Sequence, residues 1–279
     1  MGGGAMPEQL RLQVLEHRMV APGHFELVLP LERGMREAAP GQFVNIACRA
    51  EGALDPLLRR PFSVYWVEGD AFAVLYRVVG RGTRLLSQVK AGDFVDVVGP
   101  LGRGFDIEPF AQASKRGERL VLAGGGVGVP PLYFLSQRLS EEGIPFTVAV
   151  GFAGRDQIVA VDRWRARGVE PAISTVDGSA GRRGLVTDLL EEAFAAAAHD
   201  GRVAGVFACG PVRMLAAVAR IAAERGVPSQ VAMEEWMGCG LGVCLSCVTK
   251  VRGEGGSLEW ARVCREGPVF DGAKVVWSA

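Results

Sequence analysis

The sequence has no long hydrophobic run. No stretch approaches the roughly 18–20 apolar residues a membrane span needs. Phe194 to Ala198 is apolar but short, and Glu191, Glu192 and His199 flank it. Charge of one sign is also missing: 31 Lys and Arg stand against 31 Asp and Glu, for a formal net charge of zero. That balance removes the electrostatic footprint of a nucleic-acid binder and gives no reason to invoke an anionic membrane surface. The N-terminus, M-G-G-G-A-M-P-E, lacks the charged-then-apolar order of a secretory signal. It reads as a disordered lead-in, with Met6 as an alternative start. Internal repeats and low-complexity tracts are absent too. These absences predict a soluble cytoplasmic protein with no nucleic-acid and no membrane partner.

Cysteine is scarce, at six residues, but four of the six are grouped. Cys239, Cys244 and Cys247 have C-x4-C-x2-C spacing, and Cys264 follows after sixteen residues. Spacing of this type holds a plant-type [2Fe–2S] cluster, two thiolates to each iron. Gly238, Gly240 and Gly242 fit a loop wound tightly on a compact ion, because glycine accepts positive φ and lets backbone N–H groups approach sulfur. A structural zinc site with four cysteine ligands is the alternative, although such sites more often use paired C-x2-C knuckles. A disulfide pair is a third reading, but nothing in the sequence points to an oxidising compartment. A cluster moves single electrons, so the rest of the chain should hold a source or a sink.

The 279 residues suit two main domains. Over residues 8–104, Arg11–Val20, His24–Leu29, Gln42–Cys48, Phe62–Val67, Phe72–Val79 and Asp93–Val98 read as short strands separated by Gly, Pro and Asp clusters. Six such strands predict a small antiparallel β-barrel, with a short helix over Arg84–Val89. Over 119–233 strands alternate with helices, which predicts an α/β domain with a parallel sheet covered on both faces. Its strands are a run from Arg119 into glycines, then Phe146–Phe152, Pro171–Val176, Val203–Cys209 and Gln230–Met233. Its helices are Leu132–Glu142, Asp156–Arg167, Leu185–Ala198 and Val212–Arg225. Residues 234–279 form a small C-terminal cluster unit, with a final strand over Lys274–Trp277.

Three further stretches carry chemistry. In Arg59-Arg60-Pro61-Phe62-Ser63 a fixed arginine can fork onto a phosphate, beside a rigid proline, a flat ring and a hydroxyl. Leu75-Tyr76-Arg77 leads into Gly80-Arg81-Gly82-Thr83, a glycine turn whose N–H groups can cradle an anion. On residue chemistry alone, surface arginines here could equally be solvated charges. Gly124-Gly125-Gly126-Val127-Gly128-Val129-Pro130-Pro131 ends a strand and opens a helix, where a pyrophosphate is favoured. It is not the G-x-G-x-x-G fingerprint, and a tight turn with no ligand is the plain alternative. Cys209 reads as a strand-end thiol and Cys48 as core.

Together these segments resemble the ferredoxin-reductase-like flavoprotein family, whose R-x-[Y/F]-S and G-x-G-T motifs bind FAD. The resemblance implies that Arg60 contacts the FAD phosphates, that Phe62 and Ser63 lie along the flavin, and that Pro61 belongs to the same site. Leu75, Tyr76 and Arg77 belong to the same site, and Gly82 and Thr83 meet the pyrophosphate. It also implies that Gly124, Gly125, Gly126 and Gly128, with Cys209, Gly210 and Pro211 of the C-G-P-x-x-M-L motif, bind NAD, NADP staying open. Asp177-Gly178-Ser179 and Gly184-Leu185-Val186-Thr187 fit that family as well. Arg155, Arg182 and Arg183 are candidates for a 2′-phosphate.

The tail V-C-R-E-G-P-V-F-D-G-A-K-V-V-W is similar to that of electron-transfer subunits of heteromeric, NAD-linked dihydroorotate dehydrogenases. This likeness implies an oxidoreductase subunit of pyrimidine biosynthesis with FAD, a [2Fe–2S] cluster on Cys239, Cys244, Cys247 and Cys264, and NAD. The implied partner is an FMN-containing catalytic subunit, in a heterotetramer. Trp236, Met237 and Leu241 are candidates for the contact surface, or plain shielding of the cluster. No catalytic acid or base is expected in this chain. The rivals are an FAD/[2Fe–2S] subunit of an NADPH–ferredoxin transhydrogenase, sulfide dehydrogenase or hydrogenase, and a non-catalytic zinc-containing binding module.

Overall fold

A computed structural model describes residues 7–49 and 52–277; the glycine-rich lead-in with Met6 lies outside them. The first seven strands are β1 (Glu8–Gln13), β2 (Glu16–Ala21), β3 (His24–Pro30), β4 (Phe43–Ile46), β5 (Arg60–Glu68), β6 (Ala71–Arg77) and β7 (Phe94–Leu101). They form one antiparallel sheet in the order β1-β7-β4-β5-β6-β3-β2. Alternating apolar residues such as Leu27, Leu29, Val44, Val64 and Val74 curl it around one core. A short helix, α1 (Arg81–Leu86), follows β6, a few residues earlier than the spacing predicts.

The single strand expected over Arg11–Val20 is in fact two. The N–H of Val14 donates to Asp93 O and that of Leu15 to Val28 O. Neighbouring residues thus bond to opposite edges, and the chain steps there from β7 to β3.

The second layer system runs β8 (Glu118–Gly125), α2 (Val129–Glu141), β9 (Phe146–Phe152), α3 (Val161–Ala166), β10 (Ala172–Thr175), β11 (Arg182–Arg183), α4 (Val186–Asp200), β12 (Arg202–Cys209), α5 (Val212–Glu224) and β13 (Ser229–Ala232). Leu120, Val121, Leu122 and Ala123 of β8 are all buried, as a parallel strand covered on both faces requires. On α5, Leu215, Val218, Ala219 and Ala222 fall on one buried stripe. The helix expected over Asp156–Arg167 is shorter: Ala160 takes φ 67 and separates a 3₁₀ turn at Arg155–Gln157 from α3.

The C-terminal segment contributes a hairpin, β14 (Val248–Arg252) and β15 (Leu258–Arg262), and then β16 (Val269–Asp271). β16 joins the second sheet antiparallel to β13, giving the order β11-β10-β9-β8-β12-β13-β16. Lys274–Trp277 is not the final strand expected; only Val275 bridges, to Val251. The hairpin, which turns at R-G-E-G-G-S, lies outside the predicted strands.

A buried carboxylate ties the two main sheets together. Glu26 of β3, with a side chain 2% exposed, accepts from the Trp66 indole at 2.8 Å and from Arg163 of α3 at 2.9 Å. Arg18 adds a second ion pair at 2.5 Å. A carboxylate taken out of water needs such partners, and here they bridge the layers.

Candidate functional site

Among the described residues, no three His, Cys, Asp or Glu side chains gather as the ligands of a single metal ion. The four clustered thiols instead form two pairs. The Cys239 and Cys244 pair is the outer one: Cys244 is exposed and Cys239 half-buried. Cys239 Sγ accepts from the N–H groups of Leu241 (3.3 Å), Val243 (3.4 Å) and Cys244 (3.5 Å), and Cys244 Sγ accepts from Cys239 N–H (3.3 Å). Positive φ at Gly240 (69), Gly242 (80) and Leu245 (58) turns these donors inward. The Ser246 hydroxyl, 3.3 Å from Cys244 Sγ, and nearby N–H groups hold that thiol down at about 6, toward thiolate. Cys247 and Cys264 form the inner pair, their thiols in hydrogen-bonding contact and both buried. Burial, with Cys247 alongside, pushes Cys264 up to about 12. Two pairs in a loop rich in N–H donors fit two irons with two thiolates each better than one zinc ion. The apolar side chains over the outer pair lie open to solvent: Trp236 is 90% and Val243 78% exposed.

The loop is braced from two sides. Arg262 of β15 donates to Gly242 O at 2.8 Å while paired with Glu266. Asn45 of β4 donates to Cys239 O at 3.4 Å. Asn45 faces Pro61 across the β4–β5 ladder, and Phe43 faces Ser63. Directly opposite residues share a face, so one face of this sheet carries Phe43, Asn45, Pro61 and Ser63. Phe43 packs in the same apolar cluster as Cys247 and Cys264. The strand expected to meet FAD therefore abuts the cluster unit.

Around that strand, Arg60 makes no ion pair among the described residues. Its NH1 donates to the carbonyls of Leu58 (2.8 Å) and Arg59 (3.2 Å). Arg59 is a different case, tied to Asp96 at 2.7 Å. Gly82 touches Arg60; a Cβ there would stand 3.3 Å from Arg60 Nε. Thr83 is buried, and its hydroxyl accepts from the N–H groups of Val79 (3.0 Å) and Gly80 (3.2 Å), closing the turn internally. Phe62 packs inward on Tyr76 at 5.3 Å between ring centroids, and the Tyr76 hydroxyl meets His17 Nε2 at 3.0 Å. Leu75 is buried and Arg77 exposed.

β8 and β12 are neighbours at the point where strand order reverses, and Gly124 pairs in register with Cys209. A crevice at such a reversal, beyond the carboxyl ends of the strands, is where open α/β sheets bind nucleotides. Gly128 presses on the other wall: a Cβ would lie 2.5 Å from the Cys209 carbonyl and Gly210 N. Gly125 is confined by a side chain, a Cβ there standing 2.6 Å from Met214 Sδ, whereas Gly126 (φ 53) faces open space. The structure thus brings together Gly124–Gly128 and Cys209–Pro211, and the end of β6 runs against the 126–128 turn. The Cys209 thiol is pushed up to about 12 by burial, with the Glu234 carboxylate adding to it. Arg155 does not stand free for a phosphate, since its guanidinium donates twice to Ser179 O (2.9 and 2.6 Å). Arg182 is paired with Glu192, and the stem of Arg183 lies over Gly178. Beside Arg155, the Asp177 carboxyl is held below its usual range by the Ser179 hydroxyl and N–H.

Sequence reasoning missed Asn45, Ser246, Glu234 and Arg262. Asn45 had a legible signal, one polar residue inside the apolar run F-V-N-I.

Residues 234–276 match the model of the iron–sulfur cluster binding domain of dihydroorotate dehydrogenase B. The chain is 38% identical over 273 residues to the dihydroorotate dehydrogenase B (NAD(+)) electron transfer subunit of Geobacillus sp. (strain WCH70), covering 97% of this chain and 100% of that one. It is 40% identical over 268 residues to the same subunit of Desulforamulus reducens, covering 95% and 97%. Among solved structures, an NADH-dependent reduced ferredoxin-NADP oxidoreductase, studied for flavin-based electron bifurcation, superposes with a TM-score of 0.80 at 31% identity, covering 99% of this chain and 92% of that one. At this identity over nearly its whole length, the chain belongs to the family of electron-transfer subunits of NAD-linked dihydroorotate dehydrogenase B.

Proposed function

We propose that this chain passes electrons from an FMN-containing dihydroorotate dehydrogenase subunit to NAD, through a [2Fe–2S] cluster and FAD, in a cytoplasmic heterotetramer. The observation that carries the proposal is the two-tier cysteine loop, its outer pair under exposed apolar side chains and its inner pair packed beside the flavin strand. When bound, the cluster relays single electrons, and FAD exchanges an electron pair with NAD as hydride. The protein's part is to hold, orient and shield. Cys239, Cys244, Cys247 and Cys264 hold the cluster, and the N–H groups of Leu241, Val243 and Cys244 offset negative charge on sulfur.

In this reading residues 8–104 bind FAD. Arg60, with no carboxylate partner among the described residues, and Gly82 address the phosphates; Thr83 holds the turn that presents them. Pro61 and Ser63 line the flavin, Phe62 backs it from the barrel, and Leu75, Tyr76 and Arg77 supply the strand beside it. Residues 119–233 bind the nicotinamide dinucleotide. Gly124, Gly125 and Gly128 let the first turn close on Cys209, Gly210 and Pro211, and Gly126 leaves room for the pyrophosphate. An ionised Asp177 beside an engaged Arg155 disfavours a 2′-phosphate, so the nucleotide is NAD rather than NADP. Residues 234–279 carry the cluster to the surface, where Trp236, Leu241 and Val243 form the patch for the catalytic subunit. Among the described residues, no helix is long and apolar enough to cross a membrane.

An anaerobic affinity purification from the native cell tests the partner. An FMN-containing dihydroorotate dehydrogenase that copurifies in a complex, lost on Trp236→Ser, is the expected result. A ferredoxin transhydrogenase or hydrogenase subunit in its place would overturn the assignment of substrate and partner.

A further inference from the structure

Asn45 is an asparagine in a strand whose other residues, Phe43, Val44 and Ile46, are all buried hydrophobics. It is itself 2% exposed. Burying an amide is costly unless its groups are bonded, and one end of this one is not: Oδ1 has no partner among the described residues. The other end, Nδ2, donates to the carbonyl of the cluster-loop residue Cys239 at 3.4 Å, across 194 positions of sequence. Contact continues at the next residue. A Cβ on Gly240 would fall 1.9 Å from Asn45 Nδ2 and 3.0 Å from its Cγ, so the amide lies directly on the Gly240 backbone. Gly240 has φ 69, and its turn points the N–H groups of Leu241, Val243 and Cys244 at Cys239 Sγ. On its own sheet, Asn45 shares a face with Pro61 and Ser63.

We infer that Asn45 is a positioning residue joining the flavin strand to the cluster loop: its amide fixes the Cys239–Gly240 turn and, through it, the N–H donors that set the cluster's potential. The inference rests on the cofactor assignment above. Three N–H groups directed at one thiolate favour the reduced, more negative cluster. Without the Asn45 bond the turn relaxes, those donors withdraw, and the potential falls. The same loosening weakens coupling between the flavin face and the loop, so electron transfer between them slows.

The test is an EPR-monitored redox titration of the flavin- and iron-loaded full chain, comparing wild type with Asn45→Leu and Asn45→Ala. Leucine keeps most of the volume and removes the donor. Expected are retained flavin and iron, shifted g values, and a fall in reduced-to-oxidised cluster ratio of about tenfold at fixed potential, which is ~59 mV for one electron. A second arm uses Gly240→Ala. Alone it should disturb the cluster signal strongly, because the new methyl meets Asn45 and alanine is strained at φ 69; in the Asn45→Ala background the part due to the clash should vanish while the backbone strain stays, a coupling that independent sites do not show. Loaded variants with unmoved potential and g values, or additive effects of the two changes, overturn the inference while leaving the cofactor assignment standing. Variants that lose iron and melt earlier, with no Gly240 coupling, assign Asn45 a merely structural role and also overturn it. A wild-type chain that binds neither flavin nor iron overturns the proposed function itself.

Discussion

At the scale of single residues, chemistry is set by what each side chain touches. His24 is an example outside the redox path. It is 2% exposed at the start of β3, with Nδ1–H donating to Pro22 O at 2.9 Å. Burial lowers its pKa below 6.5; the Pro22 bond opposes the shift, and the Arg77 charge reinforces it. A histidine harder to protonate when folded adds stability that is complete above the unfolded pKa, about 6.5, and is lost as pH falls toward the folded value. The urea midpoint should therefore drop between about pH 7 and pH 5, and His24→Asn, which keeps a donor for Pro22, should flatten that drop. Equal slopes in the two proteins would remove His24 as the cause. The redox residues differ in how legible they were. The cysteine ligands stood out because iron demands a spacing that survives in one dimension. Their division into an outer and an inner pair did not, since it depends on the hairpin between Cys247 and Cys264, which spans most of the sixteen residues separating them. Thr83 looked like a phosphate ligand, yet in the structure its hydroxyl closes its own turn.

At the scale of elements, periodicity predicted most of the strands and helices because burial imposes it. β9 matches its predicted bounds, being a buried run between clear breakers. The failures have local causes. One apolar run became β1 and β2 because adjacent residues bond to different edges, a tertiary fact. The helix after β9 shortened at Ala160, whose left-handed backbone no composition rule anticipates. β16 entered the parallel sheet from the cluster unit, so the sheet is mixed and its last neighbour comes from a separate stretch of chain. Glycine placement in the β8–α2 turn has a consequence that can be measured. A methyl on Gly128 would stand 2.5 Å from backbone atoms of Cys209 and Gly210, and backbone cannot swing aside as a side chain can. Gly128→Ala should widen that crevice and weaken NADH binding by about tenfold or more, the scale of a lost close contact. Flavin and iron content should be unchanged. Undiminished NADH affinity by titration calorimetry would place the nucleotide elsewhere.

At the scale of the whole molecule, the three parts are arranged as a relay. The curled antiparallel sheet meets the α/β part through Glu26, Trp66 and Arg163, and β5 packs on α2. It meets the cluster unit through Phe43 and Asn45 of β4. In the proposed reading, the strand that binds FAD stands between the nucleotide crevice and a cluster that opens to the surface. The order of the parts was readable in sequence: antiparallel sheet, α/β sheet, cluster tail. That β4 contacts the tail directly was not, because nothing in one dimension joins position 45 to position 239. Electron relay across this arrangement is most directly tested by an anaerobic NADH titration of the full chain, followed together by visible absorption and low-temperature EPR. NADH should bleach a flavin and then raise the signal of a reduced two-iron cluster, and Cys244→Ser should keep the bleaching and lose that signal. A colourless zinc-containing chain, or a flavin that bleaches with no paramagnetic cluster in the wild type, would contradict it.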